Sequence, residues 1–225
     1  MTGRIAIYTC IIGRYDELRQ PFPAPDGFDF ICFVGKGEAH AERDGVWEIR
    51  ELPVSLGNAT LDSRWPKMHP HILLPEYEFS VWIDGNIEIL DSTLYDAALN
   101  KAGEGKLYCG VPHPSRDCVY EEAKKCRDMR YISYFKLAVI WVSLFFRGVK
   151  RHAGLLENNL IFRRHLSPEI IALDEMWWDK VLHFCRRDQL SLGLCMKRSG
   201  ISPDLFLPDG GNTRNCAGFR YCRHS

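Results

Sequence analysis

The chain has 225 residues, 46% of them apolar, and its 29 Lys and Arg balance 29 Asp and Glu. That length is enough for one α/β domain, spanning 1–225, with a sizeable core. The charge balance excludes a chain-wide basic footprint for nucleic acid or an anionic membrane, so any basic patch is local.

The first predicted strand, Ile5 to Ile12, is apolar on both sides and ends at Gly13, as a covered central strand does. No small-residue cleavage site follows it, so it does not read as a signal peptide. A Pro-rich loop over 21–27 leads to strands at Phe28 to Val34 and Val46 to Leu52. The stretch Leu61 to Leu74 is helix-like, and Pro66 and Pro70 predict a kink or break in it. The apolar run Phe79 to Ile83 then stops at Asp84-Gly85-Asn86 and resumes in alternation through Leu90. A strand at Leu107 to Val111, a charged helix at Tyr120 to Met129, a strand at Leu160 to Arg163 and an amphipathic helix at Asp174 to Cys185 follow. This alternation predicts a mostly parallel central sheet flanked by helices. The longest apolar run, Leu137 to Phe146, is about half a bilayer span. It is no transmembrane segment, and reads as a buried helix or strand or as a peripheral membrane contact through 137–146.

Nine cysteines include no Cys-x-x-Cys pair, and Cys10, Cys32, Cys109, Cys185 and Cys195 sit inside apolar runs. That pattern argues against structural zinc and for free thiols in a reducing, cytoplasmic compartment.

Five clusters carry chemistry. Asp84-Gly85-Asn86 ends a buried strand, where ligand crevices open in α/β sheets; its side-chain oxygens suit Mg²⁺ or Mn²⁺, although the same residues also make an ordinary turn. Arg64, Lys67, His69 and His71 crowd two prolines and offer cations for phosphate or sugar oxygens, or form a solvated helical face. His113 and Arg116 lie on a predicted strand-end loop, where binding groups concentrate. Glu157-Asn158-Asn159 enters a strand, either as a turn or as a reader of sugar hydroxyls. Asp188, followed by Gln189, is either a helix N-cap or a reacting carboxylate.

In order along the chain, Tyr8-Thr9-Cys10-Ile11-Ile12-Gly13-Arg14-Tyr15-Asp16, Arg64-Trp65-Pro66-Lys67-Met68-His69-Pro70-His71, Trp82-Ile83-Asp84-Gly85-Asn86, the segment from His113 to Ala123, the segment from Glu157 to His165 and Arg187-Asp188-Gln189-Leu190-Ser191 form one set. The set resembles the glycosyltransferase-like domain family known in plants from mucilage-related hexosyltransferases and a turgor-regulation-defect protein, with bacterial members. The resemblance implies a single GT-A-like (Rossmann-like) domain and transfer of a hexose-type sugar from a nucleotide-diphosphate sugar to a glycan or other hydroxyl acceptor.

It also places Asp84-Gly85-Asn86 at the family's Asp-x-Asp-like metal motif, with Mn²⁺ or Mg²⁺ as the ion. Two departures stand out: Val34-Gly35 replaces a frequent Thr-Asp after the second strand, and Asn86 replaces the second acid, which lowers the ligand charge. On this reading Asp84, Asn86 and a folded-back His224 hold the metal. Arg64, Lys67, His69, His113, Arg116, Asn158 and Gln189 contact the donor, and Asp188, with Glu157 second, is the catalytic carboxylate, a base if transfer inverts the sugar, whereas in a retaining transfer Asp188 orients the donor sugar instead. The alternatives are a metal-dependent hydrolase of a glycosidic or amide (lipid) bond and a noncatalytic sugar-binding domain. No His-Glu-x-x-His spacing supports the hydrolase.

Overall fold

The computed structural model describes residues 3–13 and 15–222. Its strands and helices are, in chain order, β1 (Ile5–Cys10), β2 (Phe28–Val34), β3 (Arg43–Asp44), β4 (Trp47–Glu51), α1 (Ala59–Met68), α2 (Pro70–Leu73), β5 (Phe79–Ile83), β6 (Ile87–Ile89), α3 (Thr93–Gly103), β7 (Tyr108–Pro112), α4 (Val119–Asp128), α5 (Tyr134–Phe146), β8 (Leu156–Arg163), α6 (Pro168–His183), α7 (Gln189–Ser199), β9 (Asp204–Leu205) and β10 (Phe219–Tyr221). One sheet has the order β3-β4-β2-β1-β5-β8-β7-β9, and β6 pairs with β10 in a small antiparallel ribbon. This is a mixed α/β architecture, a large central sheet flanked by helices, as a GT-A-like domain requires.

The period-2 alternation of β1 shows why the sheet is covered twice. Ile5 and Ile7 pack with Val81, Leu94, Tyr95 and Ala98 toward α3, while Ala6 and Tyr8 pack with Trp65, Met68, Leu173 and Trp177 toward α1 and α6. Strands β4, β2, β1 and β5 are parallel.

The expectation of a mostly parallel sheet fails at β8, which lies between β5 and β7 and runs antiparallel to both. The reason is topological. Helices α4 and α5 pack side by side between β7 and β8, going out and returning, so the chain re-enters the sheet at the end it left. The first residues of β8 therefore lie beside the carboxyl end of β5, with Leu160 opposite Ile83.

Two further elements depart from the expectation. The helical stretch at 59–73 runs through Pro66 but breaks at His69, whose successor Pro70 disfavours a helical conformation before it and opens α2 instead. The apolar run at 137–146 is helical but not buried: in α5 only Ile140 and Leu144 are fully covered. Among the described residues no helix is long and apolar enough to cross a membrane. All nine cysteines are unpaired.

Candidate active site

A cleft of about 1250 Å³ opens at the carboxyl ends of β1 and β5, against the start of β8 and the α6–α7 junction. That volume exceeds the ~300–1,000 Å³ of pockets for drug-sized ligands and leaves room for two substrates. Its lining includes six Lys or Arg (Arg64, Lys67, Lys136, Arg186, Arg187 and Arg214) and four acids (Asp16, Asp84, Glu157 and Asp188), so the wall is net basic.

Lys67 lies at the centre. It sits in the last turn of α1, a helix started by Asn58, whose side chain accepts from the Leu61 amide at 3.2 Å. Its ammonium is buried between two carboxylates, 3.0 Å from Asp84 Oδ1 and 3.4 Å from Asp188 Oδ2. From behind, the fully buried Arg163 donates to the Lys67 carbonyl (2.5 Å) and the Tyr8 hydroxyl (2.6 Å), and forks onto both oxygens of Asp174 at 2.8 and 2.9 Å. This buried network anchors the backbone that carries the lysine.

Asp84 follows β5 directly. Its Oδ1 also accepts from Trp82 Nε1 at 2.6 Å, so the carboxylate is braced by its own strand. Asp84-Gly85-Asn86 is indeed a turn between two strands, closed by the Ile87 amide donating to the Asp84 carbonyl at 3.0 Å, and it lines the cleft as well. Gly85 sits close to the cleft wall: a Cβ there would stand 3.2 Å from Ile11 Cγ1, a tight contact, and 3.5 Å from Asp16 Oδ2. Asn86 donates to the Cys222 carbonyl at 3.3 Å and accepts from the Cys222 amide, through its own backbone oxygen, at 2.8 Å. The nitrogen of its amide is thus engaged and Oδ1 is the atom left to act as a ligand.

Asp188 combines a capping position with a place on the cleft wall. It is the N-cap of α7, accepting from the Gln189 amide at 3.1 Å, and it lines the cleft. Burial pushes its pKa up, but Lys67, Arg64 and Arg187 outweigh burial and hold the carboxyl below its ordinary value. Glu157 is gripped at Oε1 by Arg214, from Nη2 at 2.8 Å and Nε at 3.1 Å.

The start of β8 is irregular. Gly110 pairs with Ile161 while Val111 pairs with Glu157, so residues 158–160 bulge out of the ladder. The bulge lets three consecutive residues, Glu157, Asn158 and Asn159, line one cleft. They leave Glu157 Oε2, both amide atoms of Asn158 and Asn159 Oδ1 buried without a protein partner, as are the Nε atoms of Arg64 and Arg187 on the same lining. Buried polar atoms are almost always paired, and such a concentration marks where a polar ligand belongs.

Of the donor contacts expected from sequence, Arg64, Lys67, Asn158 and Gln189 line this cleft, whereas His69, His113 and Arg116 do not. His69 is stacked on Trp65 at 4.4 Å, bonded to the Trp65 carbonyl at 2.7 Å and packed edge-on to Trp178, on the α6 side of α1. His113 Nδ1 accepts from the Ser115 and Arg116 amides, and Arg116 Nε donates to the buried Glu122 at 2.6 Å, so both lock a turn. His224 lies outside the described residues.

Asp16, Lys136, Arg187 and Arg214 complete the lining and carried no role in the sequence reading. Asp16 and Arg187 stand within segments that carry the family resemblance, whereas Arg214 has no local signal at all. For a divalent cation, Asp84, Asn86 and Asp16 bring hard oxygen donors around Gly85, which is chemistry that fits Mg²⁺ or Mn²⁺.

The family model described as "TOD1/MUCI70, glycosyltransferase-like domain" matches residues 1–207. The chain belongs to this family. Its enzyme class is accordingly that of the glycosyltransferases. The fold is also similar to the apo structure of the bifunctional glycosyltransferase WbbM, with a TM-score of 0.47 and 12% identity over 92% of this chain. The chain spans 39% of that protein's chain. No curated protein matches it.

Proposed function

We propose that this domain transfers a hexose-type sugar from a nucleotide-diphosphate sugar to a hydroxyl of a glycan or similar acceptor. The observation that carries this reading is the row of buried, partnerless polar atoms on Glu157, Asn158 and Asn159, three consecutive residues that line one cleft together with Lys67. A sugar offers many hydroxyls that both donate and accept, which is what an unpaired amide and carboxylate oxygen can read. The net basic lining supports an anionic diphosphate beside them.

In the transfer, the bond from the anomeric carbon to the diphosphate oxygen breaks, and the diphosphate leaves with the electron pair. A bond to the acceptor oxygen forms, and the acceptor hydroxyl loses its proton. Lys67 and Arg64 offset the charge growing on the diphosphate. Asp84 and Asn86, with Asp16 adjacent, would hold a divalent cation, which supplies further charge neutralisation on that leaving group.

The two carboxylates suggested by the sequence divide differently here. A carboxylate with a depressed pKa is a weak base near neutral pH, so Asp188 is assigned to holding Lys67 and orienting the donor. Glu157, whose Oε2 lacks a protein partner, is assigned to the acceptor proton. The unpaired thiols support a reducing, cytoplasmic setting.

Isothermal titration with nucleoside diphosphates, with and without Mn²⁺, tests the proposal. Metal-dependent binding is expected, and absence of binding to every nucleoside diphosphate overturns it. A donor-hydrolysis screen across nucleotide sugars then names the sugar.

A further inference from the structure

The α5 sequence, Tyr134 to Phe146, carries a single charge, Lys136. A helix so apolar is ordinarily covered by its domain on most sides. Here Phe135 is 79% exposed, Val142 54%, Phe145 73% and Phe146 81%. Phe135, Ala138, Val142 and Phe145 are spaced three, four and three residues apart, so they form one continuous outward stripe, with Phe146 beside it.

The charge around the stripe is equally uneven. Residues 124–151 contain eight Lys or Arg and one acid, Asp128, in a chain whose charges balance overall, which leaves the remainder net acidic. No carboxylate among the described residues pairs with Arg130, Arg147, Lys150 or Arg151, and all four are exposed.

We propose that α5 and its basic flanks are an interfacial anchor for an anionic phospholipid bilayer. Aromatic side chains on a short helix insert at the boundary between headgroups and acyl chains, while Lys and Arg beside them meet lipid phosphate and carboxylate groups. A second copy of the chain is the poorer occupant, because joining two such faces would bring two basic clusters together. The anchor also has a direction. Tyr131, Ile132, Ser133 and Lys136, at the start of α5, line the cleft, so a bilayer held against the stripe sits beside the cleft mouth.

The test is co-sedimentation of the full chain with vesicles of phosphatidylcholine alone, and of phosphatidylcholine with about one-third phosphatidylserine, at low and at roughly 0.15 M salt. Binding to the anionic vesicles should exceed binding to the neutral ones by about tenfold or more and weaken with salt. The double variant Phe145→Ser, Phe146→Ser should lose about tenfold or more of the binding, by loss of inserted area. The double variant Arg147→Glu, Lys150→Glu should lose a similar factor on anionic vesicles only. Unchanged thermal midpoints and unchanged nucleoside-diphosphate titration would establish that each variant is folded, and keep this test separate from that of the donor site. Equal binding to both vesicle types, no binding by the wild type, or variants that bind like the wild type would overturn the proposal. So would lipid-free dimerisation that the Phe145 and Phe146 changes abolish, since the face would then be a protein interface.

Discussion

The charge arrangement of the cleft turns on Lys67, and replacing it with Met tests that dependence at nearly constant volume. Attraction between the ammonium and Asp188 Oδ2, 3.4 Å apart, amounts to about 5 kcal/mol at an effective dielectric constant of about 20. Keeping both ions out of water cancels roughly half of that, so Lys67→Met should cost about 2–3 kcal/mol. The contact with Asp84 adds little to stability, because that side chain is 36% exposed and water screens it. For a domain of this length the loss corresponds to a fall of about 5–10 °C in melting temperature.

The pH dependence carries the sharper test. Asp188 has a depressed folded pKa despite its burial, through Lys67, Arg64 and Arg187. Its stabilising contribution is therefore present above the ordinary carboxylate pKa of about 4 and is lost as pH falls through the lower folded value. In Lys67→Met, burial acts with one fewer opposing cation and the Asp188 pKa rises. The stability gap between the two proteins should be widest near neutral pH and narrow as pH falls below the ordinary carboxylate value. Urea unfolding of both proteins at about pH 7 and about pH 3 measures it. A gap of the same size at both pH values, or none near neutrality, would refute the ion-pair account of the site.

Asp84→Ala should abolish Mn²⁺-dependent binding of nucleoside diphosphate in titration calorimetry and lower the melting temperature by a few degrees, about 1 kcal/mol, because the buried Trp82 indole loses its acceptor; retained Mn²⁺ dependence would remove Asp84 from the metal site. Asn158→Leu should stabilise the ligand-free protein by about 1 kcal/mol in urea, because two buried partnerless atoms are removed, and weaken donor binding by about tenfold; a loss of stability would mean that these atoms are satisfied within the protein. Glu157→Gln should lower turnover by about a hundredfold or more with KM little changed, whereas Asp188→Asn, which conserves the cap, should act mainly on donor binding; the reverse pattern in steady-state kinetics would return the base role to Asp188.

The elements written by local pattern were legible in the sequence, and those set by long-range return of the chain were not. Strand β2 was bounded correctly because its apolar run is flanked by turn residues on both sides. The break before Pro70 followed from backbone sterics alone. The direction of β8 did not, because it depends on α4 and α5 packing as a pair, which periodicity cannot report. Whether the run at 137–146 is buried or exposed was left open for a related reason: an apolar run specifies a need for cover but not whether the domain supplies it.

The site divides in the same way. Asp84, Lys67, Asp188 and the 157–159 triplet stood in motifs whose chemistry was visible residue by residue. His69 and His113 carried the same kind of signal, yet their rings satisfy carbonyl and amide groups of nearby backbone. Arg163, which anchors Lys67, looked like the polar end of a strand. Only its fork onto Asp174, from a helix that begins five residues later, reveals it as core.

That buried network bears on how the site works. If Lys67 were held only by Asp84 and Asp188, a diphosphate entering the cleft would have to compete for an ammonium free to move with its carboxylates. Arg163 instead ties the lysine's backbone to Asp174 and Tyr8 in the core, so the start of the side chain is set before any substrate arrives. A charge fixed in advance stabilises a developing negative charge without reorganising at the moment of transfer. Asp188 is fixed similarly, by capping α7 while the Trp177 indole donates to its carbonyl at 3.0 Å. Two elements far apart in sequence thus deliver opposite charges, pre-positioned by core contacts, to the same end of β5, and the β8 residues that carry the partnerless atoms line the same cleft. Such an arrangement is costly for the empty protein and favourable once a polar, anionic ligand completes it, which is the energetic signature expected of a donor-binding site.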